Sequence, residues 1–118
     1  MAQYDLKTVA VIGLGYVGLP LAVRASEKQY TVIGFDLDEK KIKTLQEGKR
    51  IWKDAYLEEN FSAYPFKATT KKKYIASADV HIICVPTPVD AAHHPDLGPV
   101  IGACEIVATE TKKGALVI

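Results

Sequence analysis

Gly13, Gly15 and Gly18 stand in the spacing GxGxxG, and Asp36 follows eighteen residues after the third of them. Glycines at these intervals allow a tight turn, let a backbone approach a diphosphate, and permit close contact between a helix and a strand. A carboxylate about twenty residues further on can accept hydrogen bonds from ribose hydroxyls. The chemistry this spacing offers is therefore capture of a dinucleotide, with the N–H groups of Tyr16 and Val17 facing the phosphates at a helix start. The plainer alternatives are a glycine-rich turn and an ordinary strand-end acid. Asp38 places a second negative charge nearby, and two carboxylates would repel a 2′-phosphate, so NAD is expected over NADP. Lys41 either lies against the adenosine end or is a solvated helix cation, and spacing alone leaves both open.

These residues need a strand before the glycines and a helix after them. Thr8-Val9-Ala10-Val11-Ile12 is apolar and mostly β-branched on both parities, the pattern of a strand covered on both faces. From Tyr16 to about Gln29, Val17, Leu21, Ala22 and Ala25 recur at helical spacing, with Pro20 tolerated near the first turn. A second strand over 31–35 ends at Asp36, Asp38 is an expected N-cap, and the next helix stops near Gly48. A short helix is expected over 55–60, a short strand over 67–69 and a strand over 80–85 that Pro86 and Pro88 terminate. Pro99 suits the first turn of a helix running to about Lys112, and residues 115–118 begin a fifth strand. Alternation of strands and helices indicates an α/β, Rossmann-like doubly wound parallel sheet, incomplete at its C-terminal end.

The whole chain has 118 residues, 48% hydrophobic and 25% charged, enough for one globular domain and unlike a disordered chain. Fifteen Lys and Arg against fourteen Asp and Glu leave a formal charge of +1, with no surplus to drive non-specific binding of nucleic acid or an anionic membrane. No apolar run is long enough to cross a bilayer and the first residues do not resemble a signal peptide, so the expected location is cytoplasmic. Cys84 and Cys104 lie in apolar stretches without metal-ligand spacing and are expected to be reduced, buried packing residues.

Two blocks extend beyond the generic motif: Val11-Ile12-Gly13-Leu14-Gly15-Tyr16-Val17-Gly18-Leu19-Pro20-Leu21-Ala22 and Ala78-Asp79-Val80-His81-Ile82-Ile83-Cys84-Val85-Pro86-Thr87-Pro88. With Phe35-Asp36 and Lys41, they resemble the amino-terminal NAD-binding domain of the UDP-sugar 6-dehydrogenases, the UDP-glucose and UDP-N-acetylhexosamine dehydrogenases. The likeness is weak over 49–66. It implies that residues 1–118 are an NAD-binding domain, the amino-terminal fragment of a longer enzyme, and that Val85, Pro86 and Thr87 line the cofactor site. Physically, prolines on both sides of Thr87 fix its orientation; a rigid strand-ending turn is the alternative. The implied reaction is oxidation of a UDP-sugar primary alcohol to the uronic acid, through a thioester on a catalytic cysteine and with transfer of hydride to two NAD molecules. Neither Cys84 nor Cys104 matches that cysteine, so the fragment alone is expected to be inactive. Service in bacterial surface-polysaccharide synthesis and the UDP-N-acetylhexosamine branch are the expected setting.

A stand-alone NAD-sensing regulatory or interaction module is the competing reading, and a 3-hydroxy-acid or 6-phosphogluconate type of dehydrogenase is a third. His93-His94 with Asp90 and Asp96 could be drawn as a metal site, but a solvated loop is the preferred reading and no metal is expected. Lys71-Lys72-Lys73 and Lys112-Lys113 read as wet faces or helix ends, with steering of an anionic ligand as the alternative. Trp52, Tyr56, Phe61 and Tyr64 read as packing or interface residues. The expected partner is the UDP-sugar substrate in the full-length enzyme, with no nucleic acid and no membrane. An unpaired strand edge points to a homo-oligomer.

Overall fold

The computed structural model describes residues 5–51 and 53–118. Its elements run β1 Thr8–Ile12, α1 Gly18–Glu27, β2 Thr31–Phe35, α2 Glu39–Gln46, α3 Ala55–Asn60, β3 Lys67–Thr69, a 3-10 helix Lys72–Ser77, β4 Val80–Ile83, α4 Gly98–Glu110 and β5 Leu116–Val117. The strands form one parallel sheet in the order β3-β2-β1-β4-β5. The order reverses at β1, whose neighbours are β2 and β4, so a crevice opens at the carboxyl ends of β1 and β4.

Both faces of the sheet are covered, as the apolar runs require. Val9 and Val11 of β1 join a core with Leu19, Ala22 and Val23 of α1, Ile42 and Leu45 of α2, and Leu57 of α3. Ala10 and Ile12 point the other way, into a core with Ile33, Phe35, Ile75, Ala103 and Val107. The period-2 alternation of a strand thus sends successive residues of one apolar run into two separate cores.

Several boundaries differ from the sequence reading. Tyr16 and Val17 belong to the turn and α1 starts at Gly18, because the chain is still bending where helical periodicity begins. The fourth strand ends at Ile83 rather than 85, and α4 stops at Glu110 rather than Lys112. Asp38 does cap α2, accepting from the Lys41 N–H at 3.1 Å. In the weakly patterned 49–66 stretch, Asp54 caps α3, Phe61 is buried, and the Tyr56 hydroxyl donates to Glu27 of α1 at 2.8 Å. Trp52 lies outside the described residues. The edge strand β3 is partly blocked by Gln46, whose side-chain amide donates to the Ala68 carbonyl at 2.8 Å.

The cysteines depart from expectation: Cys84 is half-buried and Cys104 is exposed on α4. That helix is apolar on nearly every side, so composition does not reveal which side meets the sheet. Among the described residues, no helix is long and apolar enough to cross a membrane.

The amino end of the sheet is tied by Asp79. It accepts from the N–H groups of Lys7 and Thr8, both at 2.9 Å, and from the Lys112 ammonium at 2.6 Å. Lys112 is thus engaged rather than simply solvated. Its hydrogen bond, followed by those from Thr8 and Lys7, holds the Asp79 carboxyl far below the usual carboxylate range. Behind this clamp, His81 is fully buried, with Nε2 3.0 Å from the Thr111 hydroxyl.

Candidate functional site

The glycine turn is built from contacts that only glycine permits. Gly13 has a φ of +97°, and a Cβ there would stand 2.8 Å from the Cys84 carbonyl oxygen. At Gly18 a Cβ would lie 1.7 Å from the Gly13 oxygen, so α1 begins in direct contact with the end of β1. Gly15 is different: a Cβ would meet nothing within 4 Å. Two glycines therefore close the turn, and the middle one leaves its outer surface open, as close approach of a diphosphate requires.

Leu14, between them, fixes the turn to the second strand. Its side chain is fully buried, and a Cβ on Gly34 would come within 3.0 Å of it. Its N–H donates to Asp36 Oδ2 at 2.9 Å. Asp36 also accepts from the Asp38 N–H at 3.0 Å and from Lys41 Nζ at 3.0 Å. Burial alone would push its carboxyl up, but the bonds from Leu14, Asp38 and Lys41, with the charge of Lys41, outweigh burial and hold the group below its ordinary value. It is ionised, and Lys41 is its direct partner rather than a purely solvated helix cation.

A cleft of about 280 Å³ opens at the carboxyl end of the sheet. It brings together Gly13, Asp36, Lys41, Val85 and Pro86 from the residues singled out in the sequence. Leu37, Ile12 and Ile106 give it apolar surface, and Gly98, Gly102 and Ala103 keep the α4 side low. The four-residue spacing of Gly98 and Gly102 on one helical face is the signal by which that wall could have been found. Gly15, Tyr16, Val17 and Gly18 stand outside the cleft's lining. The side chains of Tyr16 and Val17 are 80% and 69% exposed, so these positions can contribute backbone rather than enclosure. Thr87 is exposed and does not line the cleft.

Larger hollows, of about 520 and 550 Å³, lie away from this chemistry beside α2, α3 and β3. They have neither the glycine turn nor an ionised acid with converging donors, and the smaller cleft at the strand reversal is the better candidate. Cys84 sits behind the glycine turn, where burial pushes its thiol up, away from nucleophilic character. His94 Nδ1 lies 3.4 Å from Asp90 in an exposed loop, and among the described residues no group of three or more His, Cys, Asp or Glu is placed to hold a metal ion.

The arrangement suits an adenosine diphosphate: apolar walls for a base, an acid for a pentose, and an open turn for the phosphates. Comparison with known proteins agrees. Residues 7–118 match the model of the UDP-glucose/GDP-mannose dehydrogenase family, NAD binding domain. The chain is 41% identical over 118 residues to a UDP-N-acetyl-D-glucosamine 6-dehydrogenase of Salmonella typhi, covering 100% of this chain and 28% of that protein. It is 34% identical over 117 residues to a UDP-N-acetyl-D-mannosamine dehydrogenase of the same organism, covering 94% of this chain and 27% of the relative. The solved structure of a UDP-D-ManNAc dehydrogenase from Pyrococcus horikoshii superposes with a TM-score of 0.83 at 34% identity, covering 93% of this chain and 27% of that one. The chain thus spans little more than a quarter of these relatives' length.

Proposed function

The chain belongs to the UDP-glucose/GDP-mannose dehydrogenase family, whose NAD binding domain it carries, and on that premise we propose where it holds NAD and what the whole enzyme does. The diphosphate lies over Gly13, Gly15 and Gly18 against the backbone of Tyr16 and Val17. The adenosine ribose meets Asp36 with Lys41 beside it, and the adenine enters the cleft between Leu37 and α4. Val85 and Pro86 form the floor beyond the glycine turn, and Thr87 lies further out along the path toward the nicotinamide. The observation that carries this reading is the ionised Asp36, hydrogen-bonded to the glycine turn through Leu14 and lining the cleft.

Bound there, NAD supplies a hydride acceptor. The residues of this chain bind and orient; none of them is assigned a covalent or proton-transfer step. We propose that residues 1–118 are the amino-terminal NAD-binding portion of a longer cytoplasmic, homo-oligomeric dehydrogenase. That enzyme oxidises the C6 alcohol of a UDP-sugar, UDP-glucose or a UDP-N-acetylhexosamine, to the uronic acid for polysaccharide biosynthesis. Names of relatives acting on both N-acetylglucosamine and N-acetylmannosamine derivatives support the class and favour neither sugar. The competing reading as a stand-alone regulatory module gains no support, since these relatives are dehydrogenases.

Calorimetric titration with NAD, NADH and NADP tests the cofactor site. Binding of NAD and NADH with NADP clearly weaker is expected, and preference for NADP would overturn it. Turnover of UDP-glucose, UDP-N-acetylglucosamine and UDP-N-acetylmannosamine by the full-length protein tests the reaction, and failure with all three would refute it.

A further inference from the structure

Leu14 ties the glycine turn to Asp36 by its N–H, and its side chain meets a neighbour of its own. A Cβ on Gly34 would lie 3.0 Å from both Leu14 Cδ1 and Cδ2 and 2.6 Å from Phe66 Cε2. The leucine and the phenylalanine thus converge on the bare α-carbon of Gly34. That position pairs with Val11 of β1 and Ala68 of β3, on the sheet face covered by α1, α2 and α3. Leu14 is fully buried, whereas Phe66 is half-buried and also lines the hollow of about 520 Å³ beside α2, α3 and β3. Phe66 arrives from the chain just before β3. That chain is fastened to α1, since the Ser26 hydroxyl donates to the Pro65 carbonyl at 2.8 Å.

We propose that Phe66 is a positioning residue for cofactor binding: laid over Gly34, its ring holds the Leu14 side chain in place, and Leu14 in turn holds the glycine turn against Asp36. Side chains packed at native density leave no free volume to absorb a displacement, so a shift of one is passed to the next. Truncating the ring gives Leu14 a void to relax into, and the backbone between Gly13 and Gly15 moves with it. The bond from the Leu14 N–H to Asp36 then weakens, and the open surface at Gly15 is displaced from the diphosphate. Phe66 does not line the cleft, so its effect on affinity passes through Leu14. Phe61 supplies the comparison. It lines the same hollow and joins the same core, but the atoms nearest the Gly34 position belong to Phe66 and Leu14. This inference rests on the reading that places NAD over the glycine turn.

The test uses the full-length protein, with calorimetric titration of NAD and mass-spectrometric hydrogen exchange over residues 13–18 in wild type, Phe66→Ala, Phe66→Leu and Phe61→Ala. Phe66→Ala is expected to weaken NAD about tenfold and to speed exchange over 13–18 in the absence of ligand. Phe66→Leu, whose side chain still reaches Leu14, is expected to recover most of that affinity. Phe61→Ala is expected to lower the denaturant midpoint at least as far as Phe66→Ala does, yet to keep wild-type NAD affinity and wild-type exchange over 13–18. NAD affinity unchanged in Phe66→Ala, or an equal loss in Phe61→Ala, overturns the proposal. If Phe66→Ala does not fold by circular dichroism, Phe66→Val decides the matter: a smaller loss of affinity with faster exchange over 13–18 supports the proposal, and wild-type affinity ends it. Wild type that fails to bind NAD defeats the cofactor reading itself, whereas wild type that binds NAD alongside a folded Phe66→Ala that binds equally well defeats this inference alone.

Discussion

Asp36 and Asp79 stand at opposite ends of one sheet and are held by the same set of donors. Each accepts from two backbone N–H groups and one lysine ammonium: Leu14, Asp38 and Lys41 at the carboxyl end, Lys7, Thr8 and Lys112 at the amino end. Both carboxyls lie below their ordinary range. Their surroundings differ. Asp79 joins the starts of β1 and β4 to the chain following α4, and its bonds close the structure. Asp36 lines a cleft beside a glycine turn whose middle Cβ position faces open space. A hydrogen-bonded acid alone does not mark a ligand site; the same chemistry is a clamp at one end and a candidate ribose contact at the other because of where the strand order reverses.

The largest expected effects fall on the glycine turn. Gly18→Ala forces a Cβ onto the Gly13 oxygen and should destabilise the fold by about 3 kcal/mol or more, seen as a large loss in denaturant midpoint. Gly15→Ala has open space and should leave that midpoint nearly unchanged while weakening NAD at least about tenfold, because only the ligand comes close there. Equal damage to folding by the two substitutions would break the distinction between closing and open glycines.

At the amino end, Asp79→Ala should lower the thermal midpoint and leave NAD affinity at the wild-type value. A matching loss of NAD affinity would show that the two ends are not separable. The smallest effect concerns His81. Burial, and then the charge of Lys112, lowers its pKa, so the folded state holds fewer protons than the unfolded one once the pH drops below about 6.5. Its contribution is present in full above that pH and is lost as the pH falls toward the lowered native value. Stability should therefore decline over that window in wild type, and the decline should flatten in His81→Leu. An identical slope in both would contradict it.

The parts of this molecule legible in sequence are those written locally. Gly13, Gly15, Gly18 and Asp36 announce themselves because a turn, a close approach and a strand end each demand a residue type at a fixed interval. The strands over 31–35 and 67–69, the helix over 55–60 and the Asp38 cap follow from short-range pattern, and the structure places them there. What the sequence does not display depends on partners far apart or on backbone atoms. The Leu14 N–H belongs to no residue type, so its bond to Asp36 leaves no trace in composition. Lys112 and Asp79 meet across thirty-three positions, and nothing near either signals the other. The 3-10 helix has no apolar pattern of its own, since Lys71, Lys72 and Lys73 read as a wet surface, yet Ile75 just beyond them is fully buried. Cys104 is exposed where burial is expected because an apolar helix does not declare its inward face.

Calorimetric titration of NAD into Asp36→Ala and Asp79→Ala side by side tests the central claim most directly. Asp36→Ala should lose about 1 to 3 kcal/mol of binding free energy, while Asp79→Ala binds as wild type. Wild-type NAD affinity in Asp36→Ala would contradict the assignment of the ribose to the carboxyl end of β2.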